Sequence, residues 1–340
     1  MKEAILYEKE KDNNRVRCFL CAHRCVVLDG KRGICAVREN RGGTLYTLVY
    51  GKVIARNIDP VEKKPLYHFL PGSRSFSIAT VGCNFRCEHC QNYEISQFPR
   101  ERPDLDIPGE DMTAGDVVGM AIESGCRSIS YTYTEPTIFL EFAYDCARLA
   151  RGRGIKNIFV SNGYMTPESA SLIAPFLDGN NIDLKGDDRF YREICHVKSS
   201  IPVLETIRLM KEKGVWVEVT TLVIPGRNDS EEVLKGIAGF IKSVDPSIPW
   251  HVTQFYPAYR LLDVPRTPAP ALRRAREIGL EAGLKYVYIG NLPAEDAENT
   301  FCYSCGNRLI ERTGFFIKGM RLREGRCPDC GALIEGVWSG

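Results

Sequence analysis

From Ser73 to about Ala294 the chain alternates short β-branched or aromatic runs with stretches of helical period, and nothing else in its 340 residues limits the fold as much. Candidate strands are SFSIATV (75–81), SISYTY (128–133), IKNIFVS (155–161), NNIDLK (180–185), VWVEVTTLVI (215–224) and WHVTQFY (250–256), with a shorter KYVYIG (285–290) after them. Helical patterns fall between them: TAGDVVGMAIESG, TIFLEFAYDCARLARGRG, TPESASLIAPFL, SIPVLETIRLMKEKG and SEEVLKGIAGFIKSV. Several open on Ser or Thr and stop at Gly, as helix ends do. The alternation argues an α/β fold with a parallel sheet and right-handed crossovers. Six such units are too few for an eight-fold barrel and enough for a partial (β/α)6 TIM-like barrel, whose function gathers in loops leaving the C-terminal ends of the strands.

The flanks differ in character. Residues 1–72 are rich in Gly, Arg and Lys; LYTLVYGKVIARNID within them suits one or two short strands, and DPVEKKPLYHFLPGS leads into a barrel expected over 73–296. Residues 297–340 are Gly-rich and organised by cysteine pairs. The fourteen cysteines fall mainly into three clusters, around 18–35, 83–90 and 302–330, leaving Cys126, Cys146 and Cys195 scattered. Gaps of two and three residues suit metal thiolates better than disulfides. The start, MKEAILYEKEKDNN, lacks the apolar run of a signal peptide, and no apolar stretch nears the roughly 20 residues that span a bilayer. With 45 Lys and Arg against 43 Asp and Glu, no net field invites nucleic acid or anionic lipid. The expectation is a cytoplasmic protein with neither a nucleic-acid nor a membrane partner.

Cys302, Cys305, Cys327 and Cys330 form two C-x2-C pairs, each followed by Gly, with 21 residues between the pairs. Four thiolates complete a tetrahedral shell, so this tail reads as a zinc-ribbon-like module with a closed structural site. Cys18, Cys21, Cys25 and Cys35 suit a second four-cysteine site. Spacing leaves zinc and an additional iron–sulfur cluster both open there, with zinc the first choice.

The stretch VGCNFRCEHCQN places Cys83, Cys87 and Cys90 in the loop leaving SFSIATV. Three thiolates on a cubane of four irons leave one iron open to an outside ligand. A catalytic zinc is the alternative, with His89 as an additional ligand.

C-x3-C-x2-C after a first barrel strand resembles the radical S-adenosylmethionine (SAM) superfamily, whose fold is a partial (β/α)6 barrel. The resemblance implies that Cys83, Cys87 and Cys90 are the catalytic ligands of a [4Fe–4S] cluster and that His89, in place of the family's usual aromatic residue, lies near the adenine of SAM. YTYTEPT (131–137) resembles the family's Gly-Gly-Glu-Pro segment, which implies that Tyr133, Thr134 and Glu135 hold the methionyl amino group. Both glycines are absent, a change that backbone contacts tolerate if φ stays negative. Glu135 also reads as a helix N-terminal carboxylate before Pro136. VSNGYMT (160–166) is similar to the segment near the SAM ribose or carboxylate, implicating Ser161, Asn162 and Gly163; the same residues read as an N-G turn. NIDLKGDD carries a D-L-K triplet like that of glycyl-radical-enzyme activases, with Asp183 and Lys185 on one strand face, facing cofactor or substrate or forming a buried salt bridge. EVTTLVIPGRND resembles the activases' fifth-strand segment, which implies adenine contact through Val223. On the sixth strand His251 and Gln254 point to opposite faces, and His251 is the interior candidate.

The resemblance implies reductive cleavage of SAM to methionine and a 5′-deoxyadenosyl radical, which abstracts hydrogen from an unidentified small-molecule or protein substrate. It also implies an electron donor such as flavodoxin or ferredoxin. Across the whole chain, CFLCAHRC…GKRGICAVRENRGG, YGKVIARNIDPVEKKPLYHFLPGS and the terminal ribbon resemble the radical SAM member of the AmmeMemoRadiSam system, which implies Memo-type and AMMECR-type partners. Two other readings stand beside it: an activating enzyme for a glycyl-radical enzyme of the pyruvate formate-lyase kind, and a multi-zinc scaffold without chemistry.

Overall fold

A computed structural model describes residues 1–10, 14–292 and 296–339, so the barrel's expected end at Ala294 lies outside the described residues. Its centre is an eight-stranded sheet. Strand β1 (Ala55–Pro60) runs antiparallel to β2 (Arg74–Ala79); β3 (Ser128–Tyr131), β4 (Lys156–Ser161), β5 (Gly179–Asp183), β6 (Trp216–Val223), β7 (Trp250–Gln254) and β8 (Val287–Gly290) follow in parallel. The expected strands are all present, and the short seventh run joins the sheet as a full neighbour of β7. The barrel also begins earlier than Ser73, because β1 pairs with β2 over its whole length.

The crossover helices are α1 (Ala114–Glu123), α2 (Leu140–Arg151), α3 (Pro167–Ile173), α4 (Ile201–Glu212), α5 (Glu231–Val244) and α6 (Ala269–Glu281). Thr113 and Thr166 each form a capping box, with Asp116 and Ser169, and Ser230 caps α5 through the Val233 N–H. Helix α6 has no counterpart among the expected helices; its opening, PRTPAPALRR, carries prolines that mask the helical period.

At the N-terminal ends of the strands the barrel is plugged. Val61, Leu66, Phe69 and Leu70 of the lead-in pack together with Ile158 of β4. Gly179 at the start of β5 lets Phe69 pack closely, since a Cβ there would stand 3.1 Å from its ring and force the ring to shift. The tail closes the same floor: its strands β9 (Thr300–Phe301), β10 (Arg308–Thr313) and β11 (Phe316–Met320) form an antiparallel sheet, and Leu309, Ile310 and Ile334 pack with Tyr67, Tyr286 and Tyr288. Buried Arg312 donates to the Tyr67 carbonyl at 2.8 Å and lies 4.4 Å from its ring centroid. The opposite mouth, where strands end, is left for the cysteine loop.

Candidate active site

The loop after β2 is held on both sides. Gly82 N–H donates to Ile95 O (3.0 Å), Arg86 N–H to Cys195 O (3.2 Å) and Glu88 N–H to Ile194 O (3.0 Å). Arg100 then gathers carbonyls, donating to Cys83 O at 2.5 Å, Phe85 O at 3.0 Å and Ile34 O at 2.6 Å. Cys87 is buried, and Cys83 and Cys90 are half-buried. Donors already point at the sulfurs: Phe85 N–H lies 3.4 Å from Cys83 Sγ, Asn162 Nδ2 3.9 Å from the same atom, and Ser96 Oγ 3.2 Å from Cys90 Sγ. Burial pushes the Cys83 and Cys90 thiols up, and a hydrogen bond with Cys195 together with burial does so for Cys87. Without a cationic partner among them these groups stay protonated thiols. Cys195, the scattered cysteine whose place after Asp183 and Lys185 in the sequence points toward the site, is thus its neighbour.

The loops after β3 and β4 are clasped to this one. Glu135 is buried and accepts from Thr137 N–H (2.9 Å), Thr137 Oγ1 (2.6 Å), Ser161 Oγ (2.8 Å) and Asn162 N–H (2.7 Å). Burial raises its pKa while these bonds pull it down. Asn162 Nδ2 donates to Asn84 Oδ1 at 2.7 Å, between Cys83 and Cys87. Gly163 sits at φ +69° with Ile182 only 2.7 Å from where a Cβ would stand, so the turn needs glycine. Thr134 Oγ1 donates to Thr80 O at 2.8 Å.

Tyr133 corrects the expectation of a negative φ. It adopts φ +61°, the left-handed conformation that suits a glycine, while carrying a full side chain. Its hydroxyl donates to Asp59 Oδ2 at 2.5 Å and accepts from Asn57 Nδ2 at 3.1 Å, and Lys64 Nζ lies 4.5 Å from the ring centroid. Asn92 Nδ2 donates to the Tyr133 carbonyl at 2.8 Å, linking the cysteine loop to this turn.

Asp183 and Lys185 form a salt bridge at 2.6 Å, and the half-buried Lys185 ammonium interacts with Cys87 and Cys195. His89 is buried against Phe190, and burial, then the Lys185 charge, lowers its pKa to about 3, so the imidazole is neutral. His89 Nδ1 and Asn84 Nδ2 are buried with no protein partner, which suits a polar cofactor beside the three thiols.

Two expected site residues lie elsewhere. His251 faces the barrel interior, as expected, but at its floor: Nε2 meets Glu218 Oε2 at 2.6 Å, and Tyr67 and Tyr288 enclose the ring. Glu218 also accepts from Tyr67 N–H (3.0 Å), His68 N–H (2.8 Å) and Trp216 Nε1 (3.0 Å), so this is a structural network. Val223 shares a strand face with Val217 and Val219, opposite Glu218 and Thr220, and packs in the helix-side core; Leu222 is the neighbour that turns inward.

The tail cysteines converge. Gly306 N–H donates to Cys302 O and Gly331 N–H to Cys327 O, both at 2.9 Å, with both glycines left-handed. The Sγ atoms of Cys302 and Cys330 are 3.6 Å apart and those of Cys305 and Cys327 3.7 Å, and all four lie within 4.8 Å of one another. Four sulfurs about 2.3 Å from one tetrahedral zinc stand about 3.8 Å apart.

Residues 77–235 match the Radical SAM superfamily. An uncharacterised protein of Methanocaldococcus jannaschii is 47% identical over 338 residues, covering 98% of this chain and 99% of that protein. Another protein of that archaeon, named among the glycyl-radical enzyme activating enzymes, is 25% identical over 247 residues, 68% of this chain and 92% of its own. The fold is shared with Streptococcus suis SuiB bound to S-adenosylmethionine, at a TM-score of 0.51 and 14% identity, over 72% of this chain and 56% of that one. The chain belongs to the radical SAM superfamily and is an enzyme of that class, which sets aside the reading as a scaffold without chemistry. Membership implies a [4Fe–4S] cluster and SAM as cofactors. Among the described residues no helix is long and apolar enough to cross a membrane.

Proposed function

We propose that Cys83, Cys87 and Cys90 hold the [4Fe–4S] cluster and that SAM occupies its open iron beside the clasped loops after β3 and β4. When bound, the pair supplies one-electron cleavage of the sulfonium and a 5′-deoxyadenosyl radical that takes hydrogen from the substrate. The chain's part is to aim and to enclose. Asn162 and the Phe85 N–H donate toward Cys83, Lys185 sets a positive charge by Cys87, and neutral His89 fills the wall. Tyr133, Thr134, Glu135, Ser161 and Gly163 shape the turns that receive SAM, and the plugged floor keeps water from entering beneath. The tail four are assigned zinc.

The observation that carries this reading is the meeting of Asn162 with Cys83, which joins the segment similar to the family's SAM-binding turn to the cysteine loop. Anaerobic reconstitution tests it: reduced protein should cleave SAM to 5′-deoxyadenosine, and protein that binds zinc at this loop and leaves SAM intact would sink it.

The full-length likeness to the archaeal protein extends over both flanking cysteine segments, which fits the AmmeMemoRadiSam reading with Memo-type and AMMECR-type partners and a flavodoxin- or ferredoxin-class donor. Activation of a glycyl-radical enzyme is the second reading, favoured by the activating-enzyme relative that matches across 92% of its length. Deuterium passing from the glycine of such an enzyme into 5′-deoxyadenosine separates the two.

A further inference from the structure

The N-terminal cysteines differ from the tail cysteines in how far apart their sulfurs stand. Cys18, Cys21, Cys25 and Cys35 line one small enclosed cavity with Leu20, Val27, Gly33, Arg38 and Ile138. Yet among the described residues it is the tail set that brings its ligand atoms within 4.8 Å of one another, as a single ion requires. Among the described residues neither the N-terminal sulfurs nor those of Cys83, Cys87 and Cys90 form so tight a group. Four thiolates spread around a void suit a cubane, whose irons fill the centre.

Arg38 adds an independent sign. It is buried, clamped to Glu141 at 2.8 and 3.3 Å, and donates to Ile5 O at 2.8 Å; it lines this cavity, and its Nε–H has no partner among the protein's atoms. A buried N–H of that kind needs an acceptor, and a cluster sulfur supplies one.

This cavity lies against the loop of the central site. The Cys35 carbonyl stands 3.3 Å from where a Cβ of Gly82 would be, one residue before Cys83. Arg100 Nη2 bridges the Ile34 and Cys83 carbonyls, and His23 Nε2 donates to Asn84 O at 2.9 Å. A groove of about 820 Å³ lined by Lys31, Arg32, Ile34, Arg86 and Arg100 opens over both loops.

We infer that Cys18, Cys21, Cys25 and Cys35 hold a second [4Fe–4S] cluster, and that it relays electrons to the cluster at Cys83, Cys87 and Cys90. The inference rests on the proposed role of the central cysteines. A low-potential one-electron carrier reduces the outer cluster from its 2+ to its 1+ state; the outer cluster is reoxidised as the central cluster goes from 2+ to 1+, with no proton moved.

The test uses the full chain, reconstituted anaerobically with iron and sulfide in the presence of zinc. A variant with Cys83→Ala, Cys87→Ala and Cys90→Ala should retain about four iron and four sulfide per chain, from the N-terminal site alone. A second zinc in place of that iron overturns the inference. Arg38→Lys, which keeps the charge facing Glu141 and removes the Nε–H, should move the midpoint potential of this remaining cluster to a more negative value; an unmoved potential counts against the assigned contact. In the otherwise native chain, Cys18→Ser, Cys21→Ser, Cys25→Ser and Cys35→Ser together should slow central-cluster reduction by reduced flavodoxin at least about tenfold, while dithionite still supports SAM cleavage. Equal flavodoxin rates overturn the relay. Loss of dithionite-driven cleavage in native protein whose N-terminal iron persists would instead mark failure of the central-site reading. Cys25→Ser alone is the milder variant should the fourfold one not fold: it should alter the N-terminal cluster's electron paramagnetic resonance signal, and an unaltered signal removes Cys25 from the ligands.

Discussion

The Asn162 backbone N–H donates to Glu135 Oε2 at 2.7 Å, and the Asn162 side chain reaches Asn84 at 2.7 Å and Cys83 Sγ at 3.9 Å. One buried carboxylate thereby couples the loops after β2, β3 and β4, so the cluster loop and the SAM turns are positioned as a unit.

Glu135→Ala strands four donors on Thr137, Ser161 and Asn162 and should cost about 3 kcal/mol in urea unfolding. Glu135→Gln, which keeps an acceptor, should cost about half as much, and SAM affinity by calorimetry should fall in the same order. Unchanged stability in Glu135→Ala would show that the clasp contributes nothing.

Cys87→Ala should lose the central cluster's visible absorbance and SAM cleavage while keeping its fold by circular dichroism. Cys305→Ala should do the reverse, releasing the tail metal and lowering the melting temperature, since the tail sheet packs on Tyr67, Tyr286 and Tyr288 at the barrel floor. Full SAM cleavage in Cys87→Ala would refute the central assignment.

Tyr133 stores backbone strain at φ +61°. Tyr133→Gly should be more stable than Tyr133→Ala by about 1 kcal/mol, because both lose the ring and only glycine is relieved of the left-handed penalty. Tyr133→Phe isolates the hydroxyl bond to Asp59 and should cost about 1–2 kcal/mol. Alanine matching or exceeding glycine in thermal melts would contradict the strained turn.

His68 is buried, with Nδ1–H donated to Glu335 O at 2.7 Å and Nε2 accepting from the Tyr288 hydroxyl at 2.6 Å. Burial lowers its pKa to about 4. The unfolded chain takes up this proton near pH 6.5, so between those values it binds more protons than the folded one. The stability that neutral His68 contributes is therefore complete above pH 6.5 and falls by about 3 kcal/mol as pH drops toward 4. His68→Asn should show a flatter decline in denaturant midpoints from pH 7 to 5; parallel profiles would assign the acid sensitivity to other groups.

The βα alternation was legible because buried parallel strands and amphipathic crossovers leave different periods in the chain, and its strands agree closely with β2 through β8. Alternation also placed His251 on the interior face, but period two says nothing of depth, and His251 lies at the floor with Glu218. Val223 went astray because likeness to another fifth strand does not carry the register that sets its face. Cys195 meets Cys87 only through the pairing of the loop 86–88 with residues 194–195, a contact between segments more than a hundred residues apart.

Residue identity and strand pattern were enough to tell which side chains can bind metal and, through the strand they follow, that Cys83, Cys87 and Cys90 stand at the mouth of a barrel. How far apart the sulfurs of each group stand was decided by tertiary structure alone. Symmetric Gly-ended knuckles draw Cys302, Cys305, Cys327 and Cys330 to the separation of one tetrahedral ion. Cys18, Cys21, Cys25 and Cys35 instead line a small cavity together with Arg38, whose guanidinium is paired with Glu141. Spacing along a chain limits the distance between sulfurs only from above; the packing that brings distant segments together sets its value.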